Sequence, residues 1–155
     1  MDNLTRIASF SVDHDLIDEG IYISRIDGDI TTYDMRTRRP NMGDYMDNIT
    51  MHSVEHLFAT YVRNSEIGAN VIYFGPMGCQ TGFYLLVRET PCEKVLEIVL
   101  DVLRKISAHD GEMPGARREE CGNYKNLSLE SARVEAKRYL AVLESRVNDF
   151  KYKTK

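Results

Sequence analysis

A chain of 155 residues has room for one ordinary domain, and 43% hydrophobic and 28% charged residues with only 4 Pro and 10 Gly exclude both a disordered polymer and a fibrous repeat. The 20 Lys and Arg are outnumbered by 24 Asp and Glu, for a net charge of -4, which argues against bulk attraction to nucleic acid or anionic membranes and favours a small substrate. No apolar run approaches the ~20 residues of a membrane span, and the first residues carry Asp2, Asp13 and Asp15 in place of a basic, then apolar, leader. A cytoplasmic protein is expected. The three cysteines, Cys79, Cys92 and Cys121, are an odd number and widely spread, so catalytic or metal-binding thiols are expected instead of a disulfide framework.

In chain order, Gly20 to Asp27 mixes β-branched and aromatic with polar residues, Asp27-Gly28 suits a tight hairpin turn, and Ile30 to Met35 reads as the return strand. Thr37 to Asp47, with Pro, Asn and Gly and several Arg at its start, reads as a loop. From Thr50 the period changes: Met51, Val54, Leu57, Phe58, Tyr61 and Val62 mark one face of an amphipathic helix, with Gly68 as its stop. Val71 to Phe74 and Phe83 to Val87 read as a strand pair around the glycine-punctuated segment 75–82. Thr90-Pro91-Cys92-Glu93 reads as a capping box opening a second helix through Val95, Leu96, Val99 and Leu103. His109 to Ala116 reads as a loop with a solvated His109, and a third helix is expected from about Ser128 to Asn148, followed by a frayed Lys-Tyr-Lys-Thr-Lys tail. Alternating strands and helices without a linker or repeat predict a single α+β domain over 1–155, with an antiparallel-type sheet packed against helices in two layers.

The strongest chemical signal is His52-Ser53-Val54-Glu55-His56 on the first of these helices. Residues four apart share a helix face, so both imidazoles can reach one metal ion while Glu55 flanks them as an acid or base. This is the inverted form of the metallohydrolase helix motif. Catalytic sites of this kind normally take a third protein ligand and keep one position open, and Cys121, beside Gly122 among polar neighbours, can supply it. A His-His-thiolate set suits zinc or ferrous iron. Cys79, in a glycine-flanked connection, is placed to exchange protons or act as a nucleophile. Cys92, at the first turn of a helix where a thiol's pKa can fall, has no polar company and reads as structural. The helix motif alone also fits a small metallopeptidase, which would recruit Glu130 or Glu135 as third ligand and leave Cys79 idle, or a domain with a closed structural metal shell.

Taken together, Ser9-Phe10-Ser11-Val12-Asp13-His14, Tyr33-Asp34-Met35-Arg36, Pro40-Asn41, His52 to Ala59, Pro76-Met77-Gly78-Cys79-Gln80-Thr81-Gly82 and Cys121-Gly122 resemble, in order and spacing, the S-ribosylhomocysteine lyase family, LuxS. The resemblance covers nearly the whole chain. It implies a LuxS/metallopeptidase-like fold and cleavage of S-ribosylhomocysteine to homocysteine and 4,5-dihydroxy-2,3-pentanedione, the precursor of the quorum-sensing signal autoinducer-2. The family's reaction proceeds by metal-assisted carbonyl migration and β-elimination. Carried over, His52, His56 and Cys121 would hold one divalent metal per subunit, Fe2+ or Zn2+. Glu55 and Cys79 would be the acid/base pair, and Ser9, His14, Arg36 and Arg63 would line the substrate site. The family also implies a homodimer with active sites at the interface. Two departures from its pattern stand out: Thr37-Arg38-Arg39 follows Arg36 where Phe-Cys is common, and Tyr73-Phe74-Gly75 lacks the Asp that usually precedes the Pro-Met-Gly-Cys loop.

Overall fold

The computed structural model describes residues 3–154. Four strands, β1 (Gly20–Asp27), β2 (Ile30–Arg36), β3 (Val71–Pro76) and β4 (Gly82–Arg88), form one antiparallel sheet in the order β1-β2-β4-β3. Four helices accompany it: the one-turn α1 (Ala8–Ser11), α2 (Asn48–Arg63), α3 (Cys92–Ala108) and α4 (Leu129–Glu144). This is the expected α+β arrangement with an antiparallel sheet. The β1–β2 turn falls one residue later than read, on Gly28-Asp29, because Gly28 takes the positive φ of +61° while Asp27 still pairs with Ile30.

Period-two alternation decides what each strand contributes. On β2 and β4, Tyr33, Met35, Phe83, Leu85 and Val87 enter the core, where Phe74 stacks between Phe58 (4.3 Å) and Phe83 (5.0 Å) and joins the sheet to α2. The intervening Asp34, Arg36 and Tyr84 therefore point to the sheet face away from the long helices, with Asp34 paired to Tyr84 and Arg36 to Gly82 in register. Gly82 is sterically required, since a Cβ there would sit 2.5 Å from the Met35 carbonyl oxygen.

Helix α2 starts at Asn48 because the Asp47 carboxylate accepts from the Thr50 amide at 2.7 Å. Helix α4 is capped as expected by Ser128, whose hydroxyl accepts from the Ser131 amide, but it stops at Glu144, four residues short of the predicted end. The expected capping box of α3 does not form. Thr90 donates its hydroxyl to the Arg88 carbonyl at 2.8 Å, and Pro91, in extended backbone, takes the cap position instead.

The segment after β2 is no plain surface loop. Thr37 and Arg38 are buried, and Arg38 makes a bidentate ion pair with buried Glu135 of α4 at 2.6 and 2.7 Å. The C-terminal tail, expected to fray, is docked. The Phe150 carbonyl accepts from the Ile23 amide at 2.8 Å, Tyr152 stacks on Tyr22 at 4.9 Å, and Lys153 pairs with Asp18.

Candidate active site

Helical spacing brings His52 and His56 onto one face of α2, with ring centroids 4.6 Å apart. Cys121 arrives from the loop between α3 and α4, its Sγ 3.4 Å from His52 Nε2, and the potential ligand atoms of His52, His56 and Cys121 all lie within 4.8 Å of one another. The donor set fits a metal because the outer nitrogens are already committed. His52 Nδ1 lies 2.8 Å from the Asn126 carbonyl oxygen, and His56 Nδ1 lies 2.8 Å from that of Pro114. A carbonyl only accepts, so each Nδ1 carries the proton and each Nε2 keeps its lone pair for an ion. Three soft-to-intermediate donors, with no fourth among the described residues, suit Zn2+ or Fe2+ with an open position. Glu55 sits half-buried on the same helix.

The loops that support these histidines were not singled out by sequence. Gly115 has φ +71°, and a Cβ on it would lie 2.7 Å from His56 Nδ1, so only glycine lets the Pro114 carbonyl meet that ring. His109, read as solvated, pins the same loop. Its Nδ1 lies 2.7 Å from the Tyr61 hydroxyl and its Nε2 lies 2.8 Å from the Glu112 carbonyl. Buried Ser53 accepts from the Ser128 amide at 2.8 Å, tying the start of α4 to the middle of the histidine motif. Of the two carboxylates a metallopeptidase would recruit, Glu135 is held by Arg38 instead, and among the described residues neither it nor Glu130 joins the histidine–cysteine cluster.

A second polar group forms on the other sheet face. Arg36, only 2% exposed, donates through Nη2 to Asp34 Oδ2 at 2.6 Å and through Nη1 to Thr81 Oγ1 at 2.8 Å, with Cys79 Sγ 4.0 Å from the same Nη1. Exposed Cys79 is also 3.0 Å from Thr81 Oγ1. Burial works against the charge on Arg36, but Asp34 outweighs it and raises the guanidinium's pKa further. Ser9, His14, Asp34, Arg36, Tyr84 and Tyr152 line one small cavity. Asp34, Thr81 and Tyr152 had gone unassigned in sequence. The spacing of Asp34 from Arg36 was their one readable signal, since i and i+2 share a strand face.

One cysteine and one arginine lie outside these groups and behave differently from expectation. The Cys92 thiol has its pKa pushed up by burial and by Glu93, against the fall that a helix start permits. Arg63, the last residue of α2, donates its guanidinium to the Val71 and Ile72 carbonyls at 3.3 and 3.2 Å instead of joining either cluster.

The sequence matches the family S-ribosylhomocysteinase (LuxS) over residues 7–149. It is 40% identical over 147 residues to an S-ribosylhomocysteine lyase of Finegoldia magna, covering 92% of this chain and 94% of that one. It is also 37% identical over 148 residues to the lyase of Borreliella afzelii, with 92% and 94% covered, and 38% identical over 143 residues to that of Clostridium beijerinckii, with 88% and 90% covered. A helix-borne histidine pair joined by a cysteine from a distant loop is a donor set for one metal ion, and a separate cysteine and arginine stand together on the other sheet face. The chain belongs to the S-ribosylhomocysteinase (LuxS) family.

Proposed function

We propose that this protein is a metal-dependent S-ribosylhomocysteine lyase, releasing homocysteine and 4,5-dihydroxy-2,3-pentanedione, the autoinducer-2 precursor. The convergence of His52, His56 and Cys121 carries the proposal, since it supplies a three-ligand site suited to Fe2+ or Zn2+ that, among the described residues, no metallopeptidase carboxylate completes. An ion held there supplies Lewis acidity for the oxyanion character that develops on a sugar as its carbonyl migrates.

The chain's own residues account for the remaining demands. Carbonyl migration along the ribose needs a proton taken from one carbon and returned to its neighbour. β-Elimination then needs a proton removed next to the migrated carbonyl as the thioether bond breaks. Cys79, beside the Arg36 guanidinium, is the proton carrier for the early migrations, and Glu55 serves the later transfer and elimination. Ser9 and His14 present polar atoms to the cavity walled by Arg36 and orient the substrate's hydroxyls. Arg63 is assigned to the homocysteine carboxylate by the family's pattern, which requires its guanidinium to leave the Val71 and Ile72 carbonyls.

Among the described residues, no hydrogen bond or ion pair joins the metal cluster to the Arg36–Cys79 group. Active sites shared between two chains answer that separation, and we assign the protein a homodimeric state. Phe10, 70% exposed, and Met42, 64% exposed, with Ile7, Tyr45 and Ile49, offer apolar surface for a second chain. The proposal includes one LuxS-type catalytic domain over 1–155 and a cytoplasmic location, in keeping with three free thiols.

The deciding experiment adds S-ribosylhomocysteine to anaerobically purified protein and titrates the thiol released. Cys79→Ala and Glu55→Gln should keep their metal yet lose about 10²–10⁴-fold in rate. Mixing these two inactive variants, after subunit exchange, should restore up to about a quarter of the activity, because half of the dimers are mixed and one of their two sites is intact. No thiol release by the unmutated, metal-loaded protein would refute the activity, and no complementation between exchanging subunits would refute the shared sites.

A further inference from the structure

We propose that Tyr152 is a positioning residue for Cys79, acting from the C-terminal tail through Asp34 and Arg36. This deepens the lyase assignment above and rests on it. The contacts form one unbroken chain. The Tyr152 hydroxyl donates to Asp34 Oδ2 at 2.7 Å, the same oxygen that accepts from Arg36 Nη2 at 2.6 Å. Arg36 Nη1 reaches Thr81 Oγ1 at 2.8 Å, which lies 3.0 Å from Cys79 Sγ.

Three observations make this a built arrangement. Asp34 and Arg36 are 1% and 2% exposed, so their charges are weakly screened by water. Asp34 Oδ1 and Arg36 Nε are buried without a hydrogen-bond partner, so Oδ2 takes both donors while its neighbour takes none. The tail is fixed on both sides of Tyr152, by the Phe150 carbonyl on the Ile23 amide and by Lys153 on Asp18. Burial, then the Asp34 charge, raises the Tyr152 pKa well above that of a free phenol, so the group stays protonated and can only donate to Asp34.

The electrostatic consequence has a sign. A hydroxyl donating to Oδ2 draws charge from the carboxylate and leaves more of the Arg36 field for the Cys79 sulfur. Without it, Asp34 holds the guanidinium more tightly and draws it from Thr81 and the Cys79 sulfur. Tyr152→Phe removes the hydroxyl while keeping the ring that stacks on Tyr22.

The test uses full-length, metal-loaded protein and two readouts. The first is the rate at which iodoacetamide alkylates Cys79, followed by peptide mass spectrometry to separate it from Cys92 and Cys121. The second is kcat and KM for thiol release from S-ribosylhomocysteine. Tyr152→Phe should slow alkylation and lower kcat by about three- to tenfold, the effect of one lost hydrogen bond, with KM within about twofold. Lys151→Ala, at an exposed position of the same tail, is the folding control and should leave both rates within about twofold of the unmutated protein. In an Asp34→Asn background, Tyr152→Phe should have no further effect, because the two residues act as a unit. Unchanged Cys79 alkylation in Tyr152→Phe, or an equal extra loss in the Asp34→Asn background, overturns the proposal. If the unmutated protein releases no thiol, the substrate assignment fails while the alkylation arm still decides the role of Tyr152.

Discussion

Replacing Glu135 with leucine tests a buried ion pair that ties the segment after β2 to α4. Glu135 is 4% exposed and gives both carboxylate oxygens to Arg38, whose side chain is 11% exposed. The remaining company of Arg38 cannot take over. The Thr37 carbonyl accepts one bond at 3.1 Å, and Asp44 lies 3.4 Å from Nε on a side chain 73% exposed to water. Glu135→Leu fills the volume but leaves a buried guanidinium without its counter-charge, a change that costs about 3–5 kcal/mol. For a domain of this size each kcal/mol moves Tm by about 2–4 °C, so the melt followed by circular dichroism should fall by roughly 6–20 °C. The double variant Arg38→Met, Glu135→Leu removes both charges together and should recover most of that loss, since an apolar pair of similar volume commonly replaces a buried ion pair without penalty. A single-variant shift under about 2 °C, or a double variant no better than the single, would refute the assignment of a buried and mutually dependent pair.

Elemental analysis of His56→Ala and Cys121→Ala should find the metal lost, and undiminished metal in either removes that residue from the ligand set. Gly115→Ala should weaken metal affinity by about 10–100-fold, measured by competition with a chelator, because the new methyl displaces the ring held by the Pro114 carbonyl. Asp47→Ala should cost about 1 kcal/mol at pH 7 by uncapping α2. The bonds from Thr50 lower the Asp47 pKa below 3.8, so this stabilisation is present above the unfolded value and is lost as pH falls through the folded one; paired melts should converge in that acid range.

How much of this was legible in sequence depends on how local the determining contacts are. The histidine pair was readable because its spacing is that of one helical turn, and the core strands because alternation is a two-residue signal. Cys121 was a candidate ligand on its own chemistry, but its meeting with His52 spans 69 residues and follows from loop packing that no local pattern encodes. The tail misled for the same reason. Five polar residues at a terminus look unable to bury anything, yet Tyr152 finds Asp34 across 118 residues. Arg38 was legible only as part of an arginine-rich loop, because the partner that buries it lies 97 residues away. The α3 capping box failed locally: Thr90 satisfied the strand end before it, and Pro91 held extended backbone where the helix needed its cap.

Strand β2 carries Met35 into the core and Asp34 and Arg36 to the opposite face, so adjacent residues serve foldability and chemistry in turn. Deleting one residue between Ile30 and Arg36 would exchange those faces, driving a guanidinium toward Phe83 and a thioether toward Cys79. Length changes in this strand are therefore barred twice over, and a lineage diversifying the rim of this pocket is left with substitutions in β2 and with insertions in the exposed stretch from Asn41 to Tyr45.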